Sequence, residues 1–302
     1  MLLRGSSHAA DQKADKMKQL IACFACFVSI SLHAAVGDVG VFTSPERTFS
    51  TASYWIEGVD GVVMIDTQFL PKEALQAIEL AEKTTGKKVT TAIVLHPNPD
   101  KFNGTAAYQK RGIRVLTSKQ VLDAIPGVHT IRWGWFGKEY APDYPKEAAK
   151  PDAFGEKTTA LTIAGLPLTL HVLGNGASAG HVVVQFRDQV FVGDLINPTN
   201  HAWLELGLIS DWLARLDEIR ALKPAKVHPG RGASGDASLI DQQATYLKQV
   251  RSWVREALVP GALGTFTKLR LQWKIERAYP ALGYPIFMRD GLEAVWRNEQ
   301  TK

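Results

Sequence analysis

The sequence has very little cysteine. Its 302 residues include two, Cys23 and Cys26, and both lie near the N-terminus. The chain after residue 34 therefore offers no disulfide, no thiolate metal ligand and no cysteine nucleophile. Long apolar runs are also absent, since no run reaches the roughly 18 residues that a spanning helix needs. We expect neither a disulfide-stabilised fold nor a membrane span.

An excess of one charge over a continuous stretch is missing as well. The net charge is +5, but Lys and Arg are scattered among Asp and Glu. No basic stripe with interleaved aromatic residues is present, so the pattern argues against nucleic-acid binding. Hydrophobic residues make up 45% and charged residues 22%, which is ordinary globular usage. The expected partner is a small-molecule substrate, and the oligomeric state is not determined by the sequence.

The N-terminal segment has the pattern of a processing signal. A short positive start at Met17 and Lys18 precedes an apolar run over residues 20–32, and small residues follow at Ala34. This pattern is typical of a secretory signal peptide. We therefore expect a leader over residues 1–34 with its start at Met17, cleavage near Ala34, and a periplasmic or secreted protein. A domain over 35–235 and a C-terminal helical extension over 236–302, packed on the same domain, would follow.

Strand and helix patterns alternate through both halves of the chain. Strands 52–57 and 62–65 flank an Asp-Gly turn, a helix opens at Pro71, and a β-branched strand covers 89–95. In the second half, antiparallel strands over 158–193 precede further helices. This order predicts an α+β fold of two mixed sheets with helices outside, an αββα sandwich. Residues 126–157 are interpreted as a loop, whose aromatic cluster (Trp133, Trp135, Phe136) could cover an apolar substrate.

Polar side chains follow the ends of four apolar strands. They are Asp66, His96, Asp194 and His228. Strand-end loops are where α/β folds assemble their sites. Two carboxylates 4 Å apart repel by about 4 kcal/mol at an effective dielectric near 20. A divalent cation would offset that repulsion, so the pattern indicates a metal site.

Five segments carry a resemblance to a known family: GVVMIDT (61–67), LHPNPDKFNG (95–104), GNGASAGHVVV (174–184), VFVGDLI (190–196) and VHPGRG (227–232). Over about residues 39–235 the chain resembles the metallo-β-lactamase superfamily. The resemblance implies the αββα sandwich, a site for one or two metal ions, usually zinc, and hydrolysis of β-lactams, lactones, thioesters or other esters. Fold alone does not settle function.

The motifs depart from the family pattern at the metal ligands. The family's main motif is His-x-His-x-Asp-His, and here Asn98 and Lys101 replace two of its histidines. Ala177 stands where the third motif has a histidine. The first metal position thus keeps His96 alone, and one imidazole does not hold zinc. We expect a degenerate active site.

The second metal position is the better candidate on the same resemblance. Asp100, Asp194 and His228 are matched to it, as ligands of one zinc with a water in the fourth place. His96 or Asp100 would transfer the proton as the general acid or base, and Asn98 or Lys101 would stabilise the oxyanion. Further residues are expected around the site or its substrate: Asp66, His181, His201, Trp203 and Trp133.

Lys101 leaves two alternatives open. Its ammonium could point away from a metal and bind a substrate carboxylate or an oxyanion. Alternatively it could replace the metal and pair with Asp100 and Asp194. Three functions follow: a secreted mono-zinc hydrolase of a β-lactam, lactone or thioester; a ligand-binding member of the fold that has lost its metal; or a metal-independent hydrolase that uses His96 with Asp100. The cofactor is accordingly one zinc or none.

Overall fold

A computed structural model describes residues 36–301, and the predicted leader lies outside them. The first sheet contains six strands in chain order: β1 (Val39–Thr43), β2 (Ala52–Glu57), β3 (Val62–Ile65), β4 (Val89–Ile93), β5 (Arg114–Thr117) and β6 (Asp152–Ala153). β1, β2 and β3 pair antiparallel, and β3 to β6 pair parallel. The sheet is therefore mixed, as expected.

The second sheet contains five strands in the order β11-β10-β9-β8-β7. Their bounds are β7 (Thr159–Ile163), β8 (Leu166–Leu173), β9 (His181–Phe186), β10 (Gln189–Gly193) and β11 (Lys226–Pro229). All neighbours pair antiparallel except β10 and β11, which run parallel. β10 and β11 consequently end at the same edge of this sheet.

The helices are α1 (Pro71–Thr85), α2 (Pro99–Phe102), α3 (Thr105–Lys110), α4 (Lys119–Phe136), α5 (Ile209–Ala221), α6 (Ser238–Ala257), α7 (Thr265–Ala278) and α8 (Pro285–Gln300), with a 3-10 turn at Glu46–Thr48. α1 begins with proline, which needs no hydrogen bond for its nitrogen, and ends at Gly86 in the left-handed region. Within residues 36–301, no helix is both long and apolar enough to cross a bilayer.

Two apolar cores define the layers. The first contains side chains of both sheets, such as Ile65 and Val184, together with side chains of α1 such as Ile78. The second lies between the second sheet and α5, α6 and α8, where Trp212, Leu247 and Trp296 are buried. The αββα sandwich is thus confirmed. The C-terminal helices contribute to the second core, whereas a boundary at residue 235 stays a prediction.

The expected loop over 126–157 is wrong in its first part. α4 continues through Pro126 as far as Phe136. Its buried residues, Val121, Ile125, His129 and Arg132, recur at helical spacing, and Ser118 caps its start by accepting from the Val121 N–H. Burial of this face outweighs the helix-breaking effect of one exposed proline.

Candidate functional site

Two carboxylates meet at the edge where the strands of both sheets end. Asp100 lies in α2, just after β4, and Asp194 directly follows β10. Both side chains are buried, with exposed fractions of 7% and 3%. Buried carboxylates need compensating charge. The structure supplies it from two cationic side chains of this chain.

The first cation is Lys101, whose side chain is fully buried. Its Nζ lies 3.0 Å from Asp100 Oδ2 and 3.0 Å from Asp194 Oδ1. It also lies 3.5 Å from the carbonyl oxygen of Gly230. Lys101 therefore bridges the two carboxylates, which is the second of the two alternatives left open by the sequence.

The second cation is Arg231, which sequence reasoning missed. Its Nη1 donates to Asp194 Oδ2 at 2.6 Å, and its Nη2 contacts Asp100 Oδ2. Its Nε donates to the Phe49 carbonyl oxygen at 2.9 Å. We call Asp100, Lys101, Asp194 and Arg231 the ion quartet. The signal was available in VHPGRG, where an arginine follows a glycine just beyond a strand end.

The ion quartet holds all four groups in their charged forms. Burial raises the pKa of Asp194, but Arg231 and Lys101 outweigh it and hold that pKa well below its ordinary value. For Asp100 too, burial raises the pKa, and Arg231 and Lys101 outweigh burial and lower it. Burial lowers the pKa of Lys101, and the two carboxylates outweigh it and raise that pKa. Two positive and two negative charges cancel, so the quartet is neutral as a unit.

His96 lies beside the quartet and is fully buried. Its Nε2 is 3.5 Å from Asp194 Oδ2, and its Nδ1 lies 3.2 Å from Ser178 Oγ. His181 packs against it, with ring centroids 5.1 Å apart, and accepts from the Ser178 N–H. Burial, reinforced by His96, holds the pKa of His181 well below its ordinary value. His181 is thus a neutral neighbour of the site.

His228 bonds to side chains other than the two carboxylates, and its expected role as a metal ligand stays a prediction. Its Nδ1 lies 2.7 Å from Ser234 Oγ, and its Nε2 lies 2.9 Å from Gln189 Oε1. Its ring stacks on Phe191 at 4.3 Å, and burial lowers its pKa to about 4. His228 lies within β11, and the chain has to pass Gly230 before Arg231 reaches the site.

The donor set does not fit zinc. Zinc takes three or four ligands from Cys, His, Asp or Glu. Among residues 36–301, no group of three such side chains could hold a metal ion. Of the expected ligands Asp100, Asp194 and His228, the last has both ring nitrogens bonded to Ser234 and Gln189. An ammonium and a guanidinium contact both carboxylates instead.

A pocket opens above the quartet, with about 390 Å³ of empty space when its solvent-facing part is counted. Asn98, Asp100, Asp194 and Arg231 line its floor. Aromatic and other walls complete it: Phe49, Phe69, Pro99, Arg132, Phe136, Trp203 and Phe287. A mostly apolar pocket with a few polar groups is the usual form of a small-molecule site.

The remaining predicted site residues divide between the pocket and the core. Trp203 lines the pocket, and its Nε1 donates to Glu205 Oε2 at 3.0 Å. Trp133 is not among the lining residues and packs near His129 and Tyr144. His201 is a buried core histidine, 2.9 Å from the Tyr246 hydroxyl.

Asp66 lies beneath the site. Its Oδ1 accepts from the Leu95 N–H at 2.9 Å, which joins the end of β3 to the segment after β4. Burial raises the pKa of Asp66 to about 8, although Lys101 opposes this. Asp66 is therefore largely protonated at neutral pH, and it links the strands that present the quartet.

Comparisons place this architecture in a family. The model of the metallo-beta-lactamase superfamily matches residues 47–231. A metallo-beta-lactamase from Pontibacter korlensis is similar in structure, with a TM-score of 0.58 and 21% identity over 71% of this chain and 97% of that one. No curated protein matches the chain in sequence.

A second similar structure is the metallo-beta-lactamase FIM-1 from Pseudomonas aeruginosa in its mono-zinc form. Its TM-score is 0.53, with 18% identity over 70% of this chain and 89% of that one. At these identities the likeness to solved structures concerns the fold. Because the family model spans more than half of the sequence, the chain belongs to the metallo-β-lactamase superfamily.

Proposed function

We propose that the protein is a metal-independent member of this hydrolase family, whose pocket binds a small molecule. One observation carries the proposal: Lys101 and Arg231 each contact both Asp100 and Asp194. A zinc ion bound to these carboxylates would face two fixed positive charges at contact distance. In a buried site that repulsion is large, since the effective dielectric is well below that of water.

The chemistry of the pocket is then that of recognition. Asn98 offers an amide, and the quartet offers a polar but neutral floor. The aromatic walls exclude water from an apolar ligand and favour its burial. No residue of the pocket is assigned as a nucleophile. Lys101 serves as the built-in cation that holds the two carboxylates in place.

A mono-zinc hydrolase of β-lactams, lactones or thioesters is the second candidate. The observation that favours it is that His96 still lies beside Asp194 at the edge where both sheets end. In that case Lys101 and Arg231 would have to leave the carboxylates before zinc could bind. The two candidates differ in one measurable quantity, which is the zinc affinity of the native chain.

The test measures zinc in the purified, untagged chain by mass spectrometry and follows zinc titration by calorimetry. We expect no stoichiometric zinc and no saturable binding. A Lys101→Met/Arg231→His double variant is the positive control, because it removes both cations and adds an imidazole. One tightly bound zinc in the native chain, with turnover that a chelator abolishes, would overturn the proposal in favour of the hydrolase.

Export is a separate part of the proposal. It rests on the leader pattern over residues 1–34. To test export, the protein is expressed, recovered from the periplasm, and its mass is measured. An N-terminus near residue 35 supports export, and a full-length chain retained in the cytoplasm contradicts it.

A further inference from the structure

Arg132 presents an unpaired donor at the pocket. It lies near the end of α4 and lines the pocket, and its side chain is 2% exposed. Its Nη2 bonds to Glu205 Oε2. Its Nη1 is buried and has no hydrogen-bond partner among residues 36–301. A buried donor without an acceptor costs free energy, and native structures rarely leave one.

Arg132 is also fixed in place. Its guanidinium carbon lies 4.1 Å from the Trp135 ring centroid and 5.1 Å from that of Trp203. These stacking contacts, with the bond to Glu205, hold the guanidinium in one orientation. A donor that is held rigid before binding loses little entropy when an acceptor arrives. This arrangement suits recognition of a ligand.

The walls beside Arg132 favour a flat apolar group. Phe69 meets Phe49 edge to face at 4.9 Å between centroids and Phe136 at 5.3 Å. Phe287 meets Trp203 edge to face at 5.1 Å. Aromatic side chains in these orientations pack favourably against a further ring. The ligand therefore combines an aromatic body with one hydrogen-bond acceptor.

The charges around the pocket favour an anionic acceptor. The ion quartet is neutral as a unit. Glu205 is 34% exposed, whereas Arg132 is almost fully buried. Water therefore screens the charge of Glu205 more than that of Arg132. Asp290 is a second carboxylate that interacts with Arg132, and burial raises its pKa, which favours its neutral form. A guanidinium also binds a carboxylate more strongly than a neutral oxygen.

We propose that Arg132 is the recognition residue of the pocket and that the ligand is an aromatic carboxylate. The proposal rests on the proposed function, since it places the ligand above the ion quartet without a metal. Arg132 Nη1 donates to the carboxylate, and the ring lies among Phe69, Phe136 and Trp203. Asn98 and Arg231 border the far side of the ligand.

The test is calorimetric titration with two matched probes, 2-naphthoate and 2-naphthamide, each with and without EDTA. We expect the native chain to bind the carboxylate at least about tenfold more tightly than the amide. Arg132→Gln should remove most of this preference. Arg297→Gln, on the exposed face of α8, is the matched control and should leave both affinities unchanged.

The outcomes separate the two proposals. Equal affinity for both probes, or a preference that survives in Arg132→Gln, overturns the role of Arg132, as does the absence of binding. If Arg132→Gln does not fold, the comparison of probes on the native chain decides alone. Binding that EDTA abolishes overturns the metal-independent function instead. Binding that persists in EDTA without a carboxylate preference overturns both the role of Arg132 and the ligand class, and it leaves the metal-independent function standing.

Discussion

Lys101 is a fully buried ammonium group, and its replacement tests the ion quartet directly. Lys101→Met would leave Asp100 and Asp194 with Arg231 as their one remaining contact in the quartet. Removing one partner of a buried ion pair typically costs about 3–5 kcal/mol. We expect a loss of this size in the free energy of unfolding, measured by urea denaturation at pH 7.

Lys88→Met is the control for that loss. Lys88 pairs with Glu82 at 3.1 Å, but its side chain is 80% exposed. Exposed pairs contribute up to about 1 kcal/mol. If Lys101→Met cost no more than Lys88→Met, the quartet would not stabilise the fold.

Asp66 gives the protein a pH dependence whose sign is fixed by burial. Its pKa is raised from the ordinary value of 3.8 to about 8 in the folded chain. At pH values between these two, the carboxyl group therefore binds a proton when the chain folds. The stability that Asp66 contributes is fully present below pH 3.8 and is lost as pH rises towards 8. Asp66→Asn keeps an acceptor for the Leu95 N–H and cannot ionise.

We therefore expect Asp66→Asn to gain stability over the native chain as pH rises, by about 1.4 kcal/mol per pH unit at most. Thermal unfolding at several pH values between 5 and 8 measures the difference. The charges that face Asp66 are those of Lys101, Asp100 and Asp194. If the stability of Asp66→Asn and that of the native chain changed equally with pH, the raised pKa of Asp66 would be contradicted.

Single residues were also the level at which the sequence was least informative. Asp100, Asp194 and His96 were expected together, and they lie together. Arg231 was not predicted, because it lies three residues after His228 and the sequence pattern does not show which side chain of this segment reaches the carboxylates. The unpaired nitrogen of Arg132 depends on packing between α4 and the segment around Trp203, which no sequence pattern encodes.

The segment after β11 closes the site at the scale of elements. The Gly230 N–H donates to the Gly193 carbonyl oxygen at 2.6 Å, which brings the chain against β10. A Cβ at Gly230 would lie 2.1 Å from Asp194 Oδ1 and 2.6 Å from the Gly193 carbonyl carbon. The close approach of these two strand ends therefore requires glycine.

Gly230→Ala should displace the segment and separate Arg231 from the carboxylates. We expect a loss of about 2 kcal/mol or more in unfolding free energy. Gly127→Ala is the matched control, since Gly127 is exposed within α4 and no neighbouring atom lies within 4 Å. That control should stabilise the protein by about 0.5–1 kcal/mol. Equal stability of the two variants in chemical denaturation would contradict this account.

Elements with strong periodicity were predicted well, and the exception has a physical reason. The strands β2, β3, β4 and β7 to β10 and the helix α1 lie where the sequence patterns predicted them, whereas β6 lies in the segment predicted as a loop. The loop predicted from residue 126 is wrong at its start, because α4 continues through Pro126 and Gly127. Both lie on the exposed face, while Ile125 and His129 bury the opposite one. The tertiary contact that outweighs them is not visible in local sequence.

At the scale of the whole molecule, the C-terminal helices belong to the core and to the pocket. Met288, Leu292, Val295 and Trp296 of α8 are buried in the second core. Phe287 of the same helix lines the pocket. Burial of one such side chain contributes about 1.5–3 kcal/mol. Together they approach the 5–15 kcal/mol that stabilises a typical domain.

Deletion of residues 285–302 should therefore prevent cooperative folding. Circular dichroism during heating measures this, and limited proteolysis provides a second readout. Arg297→Ala, on the exposed face of α8, is the control and should unfold like the native chain. If the truncated chain still unfolds in one sharp transition, α8 is not required for cooperative folding.

The sandwich itself was predictable, because two runs of strands with flanking helices allow few layer arrangements. The path of residues 236–302 could not be predicted. The sequence of an amphipathic helix shows that one face is buried, but it does not show which surface of the protein that face covers.

The cations of the ion quartet are side chains of the protein itself rather than bound ions. A zinc enzyme becomes functional only when it has bound its metal, a step that is coupled to folding, so it depends on the supply of metal around the cell. The positive charges of this site belong to Lys101 and Arg231. Because they are part of the same chain as the carboxylates, every folded molecule contains both. Under the proposed metal-independent function, starvation for zinc leaves the quartet intact.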